Sequence, residues 1–193
     1  MKKFLTLAVV AVASVFGASA GDGYVGGAIG FMHNEGYNAT FEVPATTNQF
    51  TILPEIGYNF NSQWAIGTTI GYDYTHFCGW DTDVHMFEFN PYARFTYFRT
   101  SNNLVQLFVD GGAGVGLGSV EFGDEDSDTA VTWNVGFRPG VAFNFTDKFS
   151  VVAHVGFLGY QGANNAAFDA GYPRKGGISF DTRDLTLGFY YNF

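Results

Sequence analysis

The sequence has little cysteine, little proline and few basic residues. Cys78 is the only cysteine among 193 residues, so no disulfide bond can form within the chain. After residue 20, no apolar run approaches the roughly 20 residues that a membrane-spanning helix needs. These absences exclude a disulfide-stabilised scaffold and give no sign of a helical membrane protein.

Basic residues are outnumbered by acidic ones. The chain has 9 Lys and Arg against 18 Asp and Glu, a formal charge of −9. Removal of the first 20 residues, which include Lys2 and Lys3, would leave a formal charge of −11. Such an acidic chain argues against nucleic-acid binding, and it offers no basic patch for anionic lipid.

The N-terminal segment 1–20 has the features of a secretory signal peptide. Two lysines precede an apolar run, which ends in the small residues Ala18-Ser19-Ala20. A transmembrane anchor is the alternative, but the run is short and no basic flank follows it. We therefore predict export, cleavage after about Ala20, and a single domain over 21–193.

Glycine (26), phenylalanine (22) and tyrosine (11) are abundant, and the apolar residues recur with a period of two. At the C-terminus, bulky apolar residues alternate with small or polar ones up to Phe193, as in a β-strand with two different faces. The segments that share this period are 24–32, 50–60, 64–74, 87–97, 105–117, 131–145, 149–157 and 180–193. We predict eight strands of about the 9–11 residues that a tilted membrane strand needs.

The predicted connections alternate between short and long. The short ones are Asn61–Gln63, Phe98–Leu104 and Thr146–Lys148, and the long ones are His33–Gln49, Thr75–Met86, Gly118–Ala130 and Leu158–Thr182. This alternation is typical of an up-and-down outer-membrane barrel with short periplasmic turns and long external loops. No helix is predicted after the signal peptide. Pro54, Pro91 and Pro139 fall within strands, where we expect bulges or interrupted pairing.

The two faces of the strands differ enough to say which one meets lipid. A soluble lipocalin-type barrel is the alternative, with an apolar interior and a charged exterior. Here the ionisable residues within strands lie on the small, glycine-rich face, and large aromatics lie on the other. We predict that the aromatic face points into lipid, with aromatic residues concentrated near the two membrane interfaces.

Several short blocks carry a resemblance to a known family. They are Pro54–Tyr58, Trp64–Gly67, Pro91–Arg94 and the terminal aromatic strand that ends at Phe193. With the signal peptide, the chain resembles the small OmpA/OmpX-like or "porin family" outer-membrane barrels of Gram-negative bacteria. The resemblance implies an all-β, eight-stranded antiparallel up-and-down transmembrane β-barrel in the bacterial outer membrane.

The same resemblance implies partners. They are outer-membrane lipid and lipopolysaccharide, periplasmic chaperones and the barrel-assembly machinery. In this family that machinery recognises the terminal strand. The implied assembly signal consists of Leu187, Phe189, Tyr191 and Phe193.

Four charged residues fall near mid-height on the inward face of the predicted barrel. They are Glu55, Arg94, Asp110 and Arg138. They either line an ion path or pair with one another as a plug. Because eight strands enclose a space only just wide enough for side chains, we predict a plug, with Arg138 pairing with Asp110 or Glu55.

Two predicted loops carry residues that bind metals in other proteins. Asp124, Asp126 and Asp128 match the start of a calcium loop, but Thr129 and Val135 stand where it needs Gly and Glu. The second external loop contains His76, Cys78, Asp81, Asp83 and His85, whose spacing fits no standard zinc site. We predict no metal site, no catalytic site and no cofactor.

The long external loops are where a binding function would lie. The last of them, Leu158–Thr182, has one basic spot at Arg174-Lys175 and could contact an external ligand. We predict a non-enzymatic structural or surface-interaction (adhesion-type) role. Two alternatives remain open: a narrow channel for small solutes and an outer-membrane lipid-modifying enzyme.

Overall fold

The computed structural model describes residues 23–35, 37–38, 43–44, 46–78, 82–122, 128–172, 174–179 and 186–193. The predicted signal peptide over 1–20 lies outside these ranges. Within them, no helix has the length and hydrophobicity needed to cross a membrane.

The described ranges contain twelve strands and one short helix. The strands are β1 (Gly23–Asn34), β2 (Tyr37–Asn38), β3 (Val43–Pro44), β4 (Thr47–Asn59), β5 (Trp64–Phe77), β6 (Thr82–Arg99), β7 (Val105–Phe122), β8 (Asp128–Asn144), β9 (Phe149–His154), β10 (Phe157–Ala163), β11 (Lys175–Ser179) and β12 (Thr186–Asn192). The helix, α1, spans Asn165–Asp169. The small strands β2 and β3 pair only with each other.

The other ten strands form one antiparallel sheet that closes on itself. Strands β9 and β10 are two parts of the seventh wall strand, and β11 and β12 are two parts of the eighth. Strand β1 pairs with β4 on one side and with β12 on the other. The predicted eight-stranded antiparallel barrel is therefore confirmed.

A bulge separates β9 from β10. Along β8, Phe137 faces Leu158 and Gly140 faces His154, so the seventh strand has one residue more than its neighbour over this interval. The extra residue falls at Val155–Gly156, and Gly156 has a φ of 78°, which glycine adopts without a steric penalty. Pro139 lies opposite this bulge, where its carbonyl accepts a hydrogen bond from Val155 N at 2.9 Å.

Interrupted pairing also occurs beside the other two prolines. The ladder between β4 and β5 skips Pro54, and the ladder between β6 and β7 skips Pro91. Proline has no N–H to donate, so each strand tolerates it on the side where the ladder is broken. The expectation of bulges or broken pairing at the strand prolines is confirmed.

The predicted bounds of the long loops are wrong, because the strands extend into the segments predicted as loops. Strand β6 begins at Thr82 rather than Phe87, and β7 ends at Phe122 rather than Leu117. The predicted loop Leu158–Thr182 contains most of β10, all of β11 and the helix α1. The expectation of no helix is also wrong. Five residues are too few to show helical periodicity, and α1 begins where the Asn164 side chain accepts a hydrogen bond from Ala167 N.

The wall has an apolar outside and a mixed inside, as predicted. Outward residues such as Ile29 and Phe189 are each 75% exposed, whereas the inward Tyr24 and Phe108 are 3% and 1% exposed. On β5, the outward apolar row runs from Trp64 to Tyr74. At about 3.3 Å per residue and a tilt of about 40°, it covers about 25 Å, the height of an outer-membrane apolar band.

The barrel has two distinct ends. The end with the short connections 60–63, 100–104 and 145–148 also holds the last residue, and we call it the turn end. The opposite end, which carries α1 and the connections from β1 to β4, from β5 to β6 and from β7 to β8, is the loop end. This division places every inward side chain at a defined level between the two ends.

Candidate functional site

A cluster of charged side chains crosses the lumen at mid-height. We call it the ionic layer: Glu55, Arg94, Asp110 and His154. Arg94 Nε and Nη2 donate to the two oxygens of Asp110 at 2.7 and 2.8 Å, while His154 Nε2 lies 2.8 Å from Asp110 Oδ2. Glu55 and Asp110 are 6% and 5% exposed, so these charges are removed from water and rely on one another.

Tyrosines complete the ionic layer around Glu55. Tyr92 and Tyr190 donate their hydroxyls to its two carboxylate oxygens, the second at 2.6 Å. The Tyr24 hydroxyl lies 2.6 Å from that of Tyr92. Arg94 reaches Glu55 at 3.5 Å, so the layer is continuous across the barrel. These three tyrosines were not predicted as site residues, although the sequence places them on the face of the strands that is otherwise rich in glycine.

Arg138 does not belong to the ionic layer. It faces Asp110 in the register of β7 and β8, yet its guanidinium lies 6.0 Å from the centre of the Phe157 ring. Among the described residues it forms no salt bridge. The expected pairing of Arg138 with Asp110 or Glu55 is therefore corrected: Arg94 occupies that place, held by its stacking on Phe108 at 4.0 Å.

The loop end of the lumen is closed by a second, apolar obstruction, which we call the apolar cap. It consists of Val84, Met86, Val120, Ala130, Ala163 and Ala167, each 2% exposed or less. Ala167 comes from α1, so the helix packs into the mouth of the barrel. Arg174 fixes this segment by donating to the Ala163 carbonyl at 2.7 Å and to Asn165 Oδ1 at 2.8 Å.

Tyr172, which follows α1, packs against the apolar cap from the lumen side. Its hydroxyl is buried, and burial raises the pKa of Tyr172, with further increases from the nearby carboxylates of Asp73 and Glu88. Asp73 also accepts hydrogen bonds from Gln49, Thr51 and Thr75 at 2.6 to 3.0 Å. A polar level therefore lies directly beneath the cap.

Two cavities lie along the barrel axis. One, of about 830 Å³, is lined by residues above the ionic layer, including Glu88, Asn90 and Arg138. The other, of about 550 Å³, lies between the ionic layer and the turn end, and we call it the vestibule. Along the barrel axis, levels that side chains block therefore alternate with open cavities.

Three of the metal-like residues of the second external loop, His76, Asp83 and His85, lie on the outward face at the loop end. His76 Nδ1 and the Tyr74 hydroxyl each lie 2.8 Å from Asp83 Oδ1, and His85 Nδ1 lies 2.9 Å from the Tyr72 hydroxyl. The hydrogen bonds to Asp83, first that from Tyr74 and then that from His76, hold the pKa of Asp83 below its ordinary value. Within the described residues, no group of three or more His, Cys, Asp or Glu side chains is arranged to hold a metal ion.

The remaining predicted residues are distributed as follows. Cys78 is exposed at the end of β5, where it accepts a hydrogen bond from Asn48 Nδ2 at 3.3 Å. Asp128 begins β8, whereas Asp81, Asp124 and Asp126 lie outside the described residues.

The terminal strand carries the implied assembly signal on its outward face. Leu187 and Phe189 are 57% and 75% exposed. The Tyr191 ring packs between those of Phe149 and Phe193, with centroids 5.1 and 5.8 Å away. This surface is available at the turn end of the wall.

Comparisons with known proteins agree with this architecture. Residues 4–193 match the family model described as "Outer membrane protein beta-barrel domain". The N-terminal barrel domain of Pseudomonas aeruginosa OprF superposes with a TM-score of 0.54 at 16% identity, covering 91% of this chain and 100% of that one. Neisserial surface protein A also gives 0.54, at 14% identity, covering 90% and 98%. No curated protein matches the sequence. Because the family model matches the chain over nearly its whole length, the chain belongs to the outer membrane protein β-barrel family.

Proposed function

We propose that this protein has a structural role in the bacterial outer membrane and makes its specific contacts at the loop end. The observation that carries this proposal is the double obstruction of the lumen. The ionic layer fills the barrel at mid-height, and the apolar cap fills its outer mouth. A barrel blocked at two levels is poorly suited to steady transport, so function is expected on its surface.

Planar-bilayer recording of the purified protein tests this proposal. We expect no steady conductance from the wild-type barrel, because the ionic layer and the apolar cap both occupy its lumen. A large and lasting conductance from correctly folded protein would contradict it. The second candidate function, a narrow gated passage, is supported by the two cavities on either side of the ionic layer. It predicts brief openings that become longer when Arg94 is replaced by Ala.

Surface interaction is tested in cells. Bacteria with and without the protein are compared for adhesion to host-cell and abiotic surfaces, and the deletion of Asn164–Gly177 is compared with both. We expect the deletion to reduce adhesion while the barrel still resists heat on unboiled gels. Undiminished adhesion would move the contact to another loop.

We propose that the protein is not an enzyme. At the loop end, Asp83 and His76 form an Asp–His contact, but Tyr74 already donates to the same carboxylate oxygen. Mass spectrometry of lipid A from cells with and without the protein should give identical spectra. A mass change that depends on His76 would establish lipid modification instead.

We also propose that the barrel-assembly machinery recognises the terminal strand through Leu187, Phe189, Tyr191 and Phe193. Deletion of Phe193 should slow insertion into vesicles that contain the purified machinery. Phe145→Ala is the control, because Phe145 is also an aromatic residue at the turn end, 68% exposed, but lies outside the terminal strand. Equal effects of the two changes would indicate general hydrophobicity rather than recognition.

Export with cleavage after about Ala20 stays a prediction. The mass of the mature protein checks it, because cleavage at that bond leaves Gly21 as the first residue. Outer leaflet lipid and lipopolysaccharide would then surround the exposed apolar belt of the barrel.

A further inference from the structure

The vestibule at the turn end is lined by an unusual set of side chains. Around its wall, the strands direct neutral hydrogen-bonding groups inward: Asn59, Thr96, Gln106, Asn144, Ser150 and Asn192. Six wall strands contribute one group each. Asn59, Asn144 and Asn192 are the last residues of their strands, whereas Thr96, Gln106 and Ser150 lie within strands, where turn propensity does not explain their presence.

Two of these amides are held in fixed orientations. Arg99 Nη2 donates to Gln106 Oε1 at 3.4 Å and to the Ser62 carbonyl at 2.7 Å. Asn144 Nδ2 donates to the Asn103 carbonyl at 2.6 Å. Among the described residues, Gln106 Nε2 and Asn144 Oδ1 have no further partner. One donor and one acceptor are therefore available in the vestibule.

The two short turns beside the vestibule add further donors. The Asn61 side-chain oxygen accepts from the backbone of Gln63 and Trp64 at 2.8 and 2.9 Å, and that of Asn102 accepts from Leu104 N at 3.2 Å. Each oxygen is thus used by its own turn, which leaves the NH₂ group for a ligand. These groups need little ordering on binding, which favours affinity.

The charge of the lining selects against ionic ligands. The charged residues that line the vestibule are Arg94, Arg99 and Asp147. Arg94 is already paired with Asp110, and Arg99 and Asp147 contribute one charge of each sign. The floor is formed by the ionic layer with Tyr24, Phe108 and Tyr190. A cavity of about 550 Å³ is within the usual size range for small-molecule sites.

We propose that the vestibule is a binding site for a neutral, hydroxyl-rich saccharide. Hydroxyl groups both donate and accept hydrogen bonds, as amide side chains do, so a ring of amides matches a sugar without needing charge. A peptide fits less well. Extended peptides bind by adding to a free strand edge, and at this end β12 is paired on both sides. In this family the turn end faces the periplasm, so the site would hold a saccharide on that side of the membrane.

Chitotriose, a neutral trimer of N-acetylglucosamine, is a suitable probe. It is titrated into the isotopically labelled mature barrel in detergent micelles, and amide chemical shifts are followed by NMR. We expect saturable shifts confined to the vestibule, including the Gln106 side-chain NH₂. Because no charge is involved, the affinity should not change between low and high salt.

Three variants test the assignment. Gln106→Leu and Asn144→Leu should each weaken chitotriose binding about three- to tenfold, the usual effect of one lost hydrogen bond. Asn48→Leu, at the opposite end of the barrel, should leave the affinity unchanged. If Gln106→Leu folds poorly, Gln106→Glu keeps the size and removes the NH₂ donor, and it should weaken binding as well.

Three results would overturn the proposal. The first is the absence of saturable shifts at millimolar chitotriose, and the second is binding that neither Gln106 nor Asn144 affects. The third is equally tight binding of trialanine, which would make the vestibule a peptide site. None of them bears on the proposed role of the loop end.

Discussion

Arg94 on β6 and Asp110 on β7 are directly opposite each other on adjacent strands, and their side chains form two hydrogen bonds in the lumen. Both side chains are buried, so Arg94→Ala would leave Asp110 and Glu55 as buried, poorly compensated charges. We expect a loss of about 3–5 kcal/mol in the free energy of unfolding. Urea unfolding in lipid vesicles, followed by tryptophan fluorescence, measures it.

Arg138→Ala is the matched control for that variant. Arg138 is also an inward arginine beside Asp110, but it is outside the ionic layer. Its removal should cost clearly less than the removal of Arg94. The reverse order would show that the barrel depends on Arg138 for its central ion pair.

Inward glycines provide the space in which large lumen side chains lie. A Cβ atom at Gly140 would overlap the Phe108 ring, which is 1% exposed and cannot move aside. Gly140→Ala should therefore destabilise the barrel by about 1–3 kcal/mol. Gly30→Ala is the control, because its added Cβ would have no neighbour closer than 3.6 Å. Equal unfolding curves for the two variants would contradict the packing argument.

The apolar cap should open when a charge is introduced into it. Ala167 is fully buried beside Val84 and Met86, so Ala167→Asp would bury an unpaired carboxylate. We expect protease cleavage near α1 to become much faster, while the barrel itself remains resistant to heat. Phe168→Asp adds the same charge at an exposed position near Arg174, and it should leave the cleavage rate nearly unchanged.

His33, at the loop end of β1, should titrate above its ordinary range. Its hydrogen bond to Asn48, with a weaker one to Glu35, raises the pKa of His33 above 6.5. The protonated form therefore favours the folded state, and this small contribution is lost as the pH rises through the folded-state value. NMR titration of the His33 ring should show the raised midpoint, and Asn48→Ala should lower it. A midpoint unchanged by Asn48→Ala would contradict this.

The strands and their faces could be predicted from sequence because lipid and lumen impose opposite demands on alternate residues. Trp64 and Ile66 meet lipid, while Ala65 and Gly67 meet packed side chains. No such rule selects the partner of Asp110. The register places Arg94 on one side of it and Arg138 on the other, and the choice depends on ring stacking with Phe108.

The apolar cap could not be predicted for a different reason. Ala163 and Ala167 are small residues in a stretch of Asn, Gly and Ala, which resembles an exposed loop. Their burial arises from contacts with Val84 and Val120, which are distant in sequence. The vestibule was likewise missed, because its amides come from strands that meet only when the barrel is closed.

The backbone N–H of Phe193 donates to the carbonyl of Gly23 at 3.0 Å, so the final residue is joined to the beginning of β1. Strand β1 therefore lacks a hydrogen-bonding partner along one edge until β12 has been synthesised. No truncated intermediate can possess a complete wall, and maturation has to follow synthesis rather than accompany it.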